Sequence, residues 1–286
     1  MNGLSGLERA EVLTQALPYI RYYNGRVIVV KYGGNAMVNE ELRQQVMEDI
    51  VLLRLIGVKV ILVHGGGPEI SDIMNRLGKK PEFVDGLRVT DKETASIVQM
   101  VLAGKVNKEL VSMIEKKGGT AIGISGIDGR LIVAKMKDER LGFVGDVTKV
   151  NIKPVNDLIE SGYIPVICTV GTDKEGNVYN INGDTAAAYI AGALNAESMI
   201  LMTDVKGVMR DMNDKTSLIP ELSVEEAEKL KKDGIIAGGM IPKVDCCVKA
   251  LELGVKNVVI MDGTVSHSIL TELLTDDGAG TLIRKA

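Results

Sequence analysis

The strongest constraint on the fold of this chain is a repeated exchange of two hydrophobic periods. Val- and Ile-rich runs at Val27 to Val30, Val58 to Val63, Thr120 to Ile124, Ile164 to Thr169, Ser198 to Thr203 and Asn257 to Met261 are short and nearly unbroken, as strands buried on both faces are. Between them, Asn39 to Leu55, Asp91 to Lys116, Pro154 to Ser161 and Asp184 to Leu194 carry apolar residues at helical spacing. That alternation predicts an α/β fold with an open, mainly parallel sheet sandwiched by helices. Shorter alternating pieces, Leu131 to Lys135 with Gly142 to Val147 and then Gly176 to Asn180, read as hairpins added at the rim. The polar turn cluster between Gly171 and Asn177 marks the place for a division into lobes, 26–175 and 176–286. Ahead of the first strand, residues 1–25 put Leu7, Ala10, Leu13, Leu17 and Ile20 on one helical face, interrupted by Pro18. That stripe has to be buried on its own domain or on a neighbouring subunit.

Composition narrows the chemistry. With two histidines, His64 and His267, no three-histidine metal site can form, and 3% aromatic residues give no platform for stacking single-stranded nucleic acid. A net charge of −4 without a dense basic block gives no footprint for DNA or RNA. No apolar run is long enough to span a bilayer, and Glu8 and Glu11 stand where a secretory signal would be basic and then apolar. Cys168, Cys246 and Cys247 read as reduced thiols, so a cytoplasmic, membrane-free protein is expected. The chemistry falls to backbone, Lys, Arg, Asp and Asn.

Those residues gather in loops. The strand from Val27 ends in Lys31-Tyr32-Gly33-Gly34-Asn35, an ammonium followed by glycines at the carboxyl end of a parallel strand, where open sheets bind ligands. The strand from Val58 runs into His64-Gly65-Gly66-Gly67-Pro68, whose glycines open a helix with its N–H groups free for an anion. His64 is either a general base or a residue that holds the loop, and the second reading is favoured. Neither loop fits the P-loop or the dinucleotide-binding glycine pattern. Gly86-Leu87-Arg88-Val89-Thr90 offers a guanidinium suited to a carboxylate, and Asn180-Ile181-Asn182-Gly183-Asp184 precedes a helix. Gly238-Gly239-Met240-Ile241-Pro242-Lys243 adds a second lysine after a glycine turn.

These five segments, in this order from Val27 onward, resemble the amino acid kinase family, and within it most closely the arginine-sensitive members that phosphorylate N-acetyl-L-glutamate. The resemblance implies an αβα sandwich with an acyl-substrate lobe followed by an ATP lobe. It implies transfer of a phosphoryl group from ATP, carried with Mg2+, to the side-chain carboxylate of N-acetyl-L-glutamate, a step of arginine biosynthesis. Carried over residue by residue, it gives Lys31, Lys243 and Asp184 the catalytic roles, with Asp184 orienting the two lysines. It gives Gly66, Gly67, Arg88, Asn180 and Asn182 the acyl substrate, and Gly33, Gly34, Thr203, Asp204 and Gly207 the nucleotide. The nucleophile is already ionised, since a glutamate-like carboxyl titrates near about 4.3, so no general base is required.

The relatives that arginine inhibits carry a C-terminal signature like His267-Ser268-Ile269-Leu270-Thr271-Glu272 with Gly278, and an N-terminal helix that interlaces dimers into a hexamer. The resemblance therefore implies an arginine site at His267, Glu272 and Gly278, approached by Lys215, and a homohexamer built as a trimer of dimers. Leu274 stands where many such relatives have Phe. The alternatives are another family member, an aspartate or glutamate 5-kinase, and a non-catalytic arginine or nucleotide sensor on the same fold. No residue argues for or against a nitrogen-signalling partner protein.

Overall fold

The computed structural model describes residues 5–37, 39–211, 214 and 216–285. Eight strands form the central sheet: β1 (Val27–Tyr32), β2 (Lys59–His64), β3 (Ala121–Ser125), β4 (Ile164–Cys168), β5 (Ser198–Thr203), β6 (Glu221–Ser223), β7 (Asn257–Asp262) and β8 (Gly280–Arg284). Their order is β6-β8-β7-β5-β1-β2-β4-β3, and every pairing is parallel except β7 with β8. The chain moves outward from β1 to one edge, returns to β5 on the other side of β1, and continues to the opposite edge. β1 therefore sits at the reversal of strand order, the place where α/β sheets bind ligands beyond the carboxyl ends of their strands.

Alternation of side chains explains the three layers. Ile28, Val30 and Tyr32 of β1 face one apolar cluster with Val60, Leu62 and the helices Glu40–Leu55 and Asn107–Lys116. Val29, Ile61, Val63 and Met199 face the other, with the helices Gly183–Ala193 and Met240–Glu252. A strand covered on both faces has no polar side, which is why the runs are unbroken. Four further strands among the described residues, Ile132–Met136, Gly145–Val150, Val170–Thr172 and Val178–Asn180, form a separate sheet at the rim, matching the expected hairpins.

Two differences stand out. Asp91 to Lys116 reads as one helix but is three pieces: Lys92–Gln99 and Asn107–Lys116 are α-helical, and Met100–Val106 between them is wound as a π-helix. Gly104 lies within that wider turn, and such bulges interrupt the regular i→i−4 ladder, often beside functional sites. At the N-terminus the stripe divides into Gly6–Gln15 and Leu17–Tyr23, with Pro18 in the first turn of the second helix, where its missing N–H costs nothing. Neither helix has a buried residue, and Leu7, Leu13 and Leu17 remain 71%, 69% and 52% exposed.

Candidate functional site

The carboxyl ends of β1, β2 and β5 deliver three loops to one side of the sheet. At the end of β1, the Lys31 ammonium lies 2.8 Å from Oδ1 of Asp184, which is in the first turn of the Gly183–Ala193 helix. Glycines flank the approach on both sides. A Cβ at Gly33 would stand 3.2 Å from the Lys31 ammonium, and one at Gly183 would stand 3.3 Å from its ε-carbon. Burial alone would raise the Asp184 carboxyl. Attraction and hydrogen bonding from Lys31, with Lys243 behind, reverse that and hold it below the ordinary carboxylate value, so it stays ionised between the two lysines. Asn182 caps this helix, its side-chain oxygen accepting from the N–H groups of Asp184 and Thr185 at 3.0 Å each.

Beyond β2 lies a cavity of about 170 Å³ bounded by Gly65 to Gly67, Arg88, Asn180 and Asn182. The glycine loop opens the Gly67–Arg76 helix with Pro68 in its first turn, so the N–H groups of Gly66 and Gly67 lack helical acceptors. No protein acceptor takes either of them among the described residues. Arg88 stands opposite, 7% exposed, donating to the Gly67 carbonyl at 3.0 Å and to the Ser71 hydroxyl at 2.8 Å, with Phe83 stacked 4.8 Å from its guanidinium carbon. No carboxylate pairs with it among the described residues, and burial pulls its pKa below the ordinary arginine value. A buried guanidinium without a counter-charge calls for an anionic ligand.

His64 resolves to the loop-holding reading. It is fully buried, its Nδ1 lies 2.9 Å from the Gly65 carbonyl oxygen, its Nε2 lies 3.1 Å from the Asn107 carboxamide nitrogen, and burial lowers its pKa to about 4. A neutral ring engaged at both nitrogens has no vacancy for a substrate proton.

On the far side of Lys243 a second cavity, about 350 Å³, is lined by Asp204, Val205, Val208, Met209, Ile236 and Lys243. Of the nucleotide residues expected from the sequence, Asp204 lines it. Thr203 instead ties its own turn, with its hydroxyl 3.0 Å from the Val205 carbonyl oxygen. Gly207, at φ +149, packs where a Cβ would meet Thr281, and Gly34 takes a left-handed turn at φ +69 beside Lys31. At the C-terminal end, the His267 Nδ1 contacts Oδ1 of buried Asp49 at 2.6 Å. Glu272 accepts from the Ala279 N–H at 2.6 Å, beside Gly278. Tyr19 of the N-terminal helices donates to Asp276, so both ends of the chain meet here. Lys215 lies outside the described residues.

The turn from Met202 to Val208, which resembles the family's nucleotide loop, supplies part of the apolar wall, and sequence reasoning missed Phe83, Ser71, Asn107, Met209 and Ile236. The first had a signal: Asp85-Gly86, at φ 50° and 77°, is the dipeptide of a tight hairpin turn, and it pairs Phe83 directly across from Arg88. Ser71 lies four residues after Gly67, one helical turn along the same face.

The topology and these loops define an α/β enzyme that handles anionic groups at the ends of its parallel strands. Comparison with known proteins makes that specific: the profile of the Amino acid kinase family matches residues 26–262, and the chain belongs to that family. It is 56% identical to the acetylglutamate kinase of Clostridium beijerinckii (strain ATCC 51743 / NCIMB 8052) over 98% of this chain and 99% of that one. It is 51% identical to that of Brachyspira hyodysenteriae (strain ATCC 49526 / WA1) over the whole of both. Among solved structures, the N-acetylglutamate synthase of Neisseria gonorrhoeae complexed with coenzyme A and N-acetyl-glutamate superposes with a TM-score of 0.85 at 26% identity. That match covers 97% of this chain and 63% of the synthase. Carbamate kinase from Giardia lamblia bound to AMP-PNP, at 20% identity and a TM-score of 0.66 over 92% and 99% of the two chains, shares the fold.

Proposed function

We propose that this chain transfers the γ-phosphoryl group of ATP to the side-chain carboxylate of N-acetyl-L-glutamate, forming an acyl phosphate in arginine biosynthesis. The observation that carries the reading is Arg88, a buried guanidinium without a carboxylate partner, facing the free N–H groups of Gly66 and Gly67 across a cavity sized for a small molecule. In this reading Arg88 and Asn180 hold the acyl substrate, and the glycine N–H groups receive the oxygens of the reacting carboxylate and phosphoryl. Lys31 and Lys243 stabilise the charge that spreads over the transferring group, with Asp184 fixing Lys31 by a direct ion pair. Asn182 acts through the helix it caps. The larger cavity, with Asp204 and its apolar wall, takes the base and sugar of ATP, and the loop from Gly33 to Gly34 approaches the phosphates. In this scheme the acyl substrate rests mainly on residues 26–175, with Asn180 added from 176–286, and the nucleotide mainly on 176–286, with Gly33 and Gly34 added from 26–175.

Among the described residues no group of three acidic, histidine or cysteine side chains is placed to hold a metal. Mg2+ is proposed to arrive bound to the phosphates of ATP, whose charge it would neutralise.

Arginine is the proposed inhibitor, and Glu272 supports it. This carboxylate is partly buried, takes backbone N–H groups and has no cationic side chain paired with it among the described residues, as a site for a guanidinium requires. His267 and Gly278 frame it, and Lys215 is proposed to approach. The exposed Leu7, Leu13 and Leu17 support assembly into a hexamer through the helices of residues 1–25. Removing residues 1–24 is expected to give dimers by light scattering, and an unchanged mass would discard the hexamer. The three unpaired thiols support a cytoplasmic setting, and no helix among the described residues is long and apolar enough to cross a membrane. The reaction is tested by trapping the acyl phosphate with hydroxylamine in the presence of ATP and N-acetyl-L-glutamate, with and without arginine. Turnover of aspartate or glutamate in place of N-acetyl-L-glutamate would overturn the assignment, and arginine binding without ADP formation would replace it with a sensor.

A further inference from the structure

We propose that Asn107, acting through His64, is a positioning residue that aims the Gly66 N–H into the substrate cavity. Asn107 is 1% exposed and begins the α-helix that follows the π-helical turn, which brings it under the glycine loop. Its carboxamide nitrogen donates to the Val166 carbonyl at 2.9 Å and faces His64 Nε2 at 3.1 Å, while its oxygen receives the Lys108 ammonium at 3.0 Å. A flipped carboxamide would set oxygen against the Val166 carbonyl and nitrogen against an ammonium, so the orientation follows from the partners. The carboxamide nitrogen can only donate. His64 Nε2 must therefore accept, and the ring proton sits on Nδ1, which donates to the Gly65 carbonyl at 2.9 Å.

That bond sets the direction of one peptide. In a planar trans peptide the carbonyl and the N–H point opposite ways. With the Gly65 carbonyl turned inward to the buried ring, the Gly66 N–H points outward, to the cavity lined by Arg88. The rest of the loop is already engaged: the Gly65 N–H donates to the Tyr32 carbonyl at 3.3 Å, and the Gly66 carbonyl accepts from Ile70 at 2.9 Å. A Cβ at Gly66 would lie 2.7 Å from Leu102 Cδ2, so the loop packs against the π-helical turn with room for glycine and little more. Reversing the Gly65–Gly66 peptide would present a carbonyl oxygen to an anionic substrate, exchanging an attraction for a repulsion. Burial keeps the ring neutral, with Lys108 as the charge acting on it in the same sense, so the arrangement persists through neutral pH.

The kinetic part rests on the proposed phosphoryl transfer; the ring tautomer does not. With only two histidines in the chain, nitrogen-15 spectra of the imidazoles at pH 7 are readily assigned. His64 is expected in the neutral Nδ1–H form, and an Nε2–H form or an imidazolium would overturn the relay. Asn107→Leu, checked for folding by circular dichroism, is expected to lower kcat for acyl-phosphate formation at least about tenfold, since a misaimed donor loses much of what a donor to a developing charge contributes. The KM for ATP is expected to stay within about twofold, because the nucleotide cavity lies elsewhere. An unchanged kcat would overturn the proposal. Should Asn107→Leu fail to fold, the spectra of the unaltered chain still decide, and absence of acyl phosphate from the unaltered chain would overturn the functional reading alone.

Discussion

The cavity beside Arg88 and the cavity beside Lys243 are built on different principles. The smaller one is walled by free glycine N–H groups, a buried guanidinium held by Gly67 and Ser71, Asn180 held by the Thr90 hydroxyl at 3.3 Å, and Asn182 held by the helix it caps. The larger is walled by Val205, Val208, Met209 and Ile236 and offers few polar atoms. Directional donors discriminate strongly, because a ligand lacking the matching atoms leaves buried groups unpaired, whereas an apolar wall accepts any flat surface of the right size. On this contrast, the proposed function gives specificity for the acyl substrate to the first cavity and general affinity for a nucleotide to the second.

The largest expected effect tests the boundary between them. Lys31→Ala removes the ammonium at the end of β1 and leaves Asp184 with its partner gone. Turnover should fall by a factor of about 10² to 10³ with the circular dichroism unchanged. Retained turnover would place the charge stabilisation elsewhere. Next, Arg88→Lys keeps the charge but loses the fork that grips Gly67 and Ser71. The KM for the acyl substrate should rise roughly tenfold or more, in line with a charged hydrogen bond of ~1.5–3 kcal/mol, while the KM for ATP holds. Equal rises in both constants would break the contrast. Met209→Ala should do the reverse and more mildly, raising the KM for ATP a few-fold for the loss of about 1 kcal/mol of apolar burial.

The smallest effect is on stability rather than rate. His64 has a folded pKa lowered to about 4 from 6.5, so the unfolded chain takes the proton first. Its contribution is complete above pH 6.5 and is lost as pH falls from there toward 4. Buried Asp49, raised to about 6 by burial and opposed by His267, acts in the opposite sense, favouring the fold at low pH and losing that contribution as pH rises toward 6. The readout is therefore the difference in urea midpoint between the unaltered chain and His64→Asn across pH 4 to 7, which should shrink as the medium becomes acid. A difference independent of pH would mean that His64 does not stay neutral in the fold.

Legibility followed the same contrast. Lys31, Gly66, Arg88 and Asp184 were readable because each belongs to a short segment whose turn chemistry is local. The apolar wall of the larger cavity was legible only in part: the turn from Met202 to Val208 stands out through the family resemblance, whereas Ile236 joins it from a loop that only packing brings near. Short strands were missed for a related reason: Glu221–Ser223 and Gly280–Arg284 are too brief to show a period, and their pairing with each other and with β7 depends on distant residues. Asn107 reads as an ordinary polar residue in a helix, and its role depends on a partner beyond the reach of any local pattern.

The sequence by itself determined the α/β alternation, the glycine-rich strand ends and the set of charged groups available for chemistry, because helix and strand periods and turn preferences are expressed within a few residues. Tertiary structure alone decided which of those groups meet. Lys31 reaches Asp184 because β1 lies where the strand order reverses and the helix after Gly183 packs across it, and His64 faces Asn107 because a π-helical turn delivers that carboxamide beneath the loop. Such meetings depend on strand order and on the packing of both sheet faces at once, and no window of sequence contains that information.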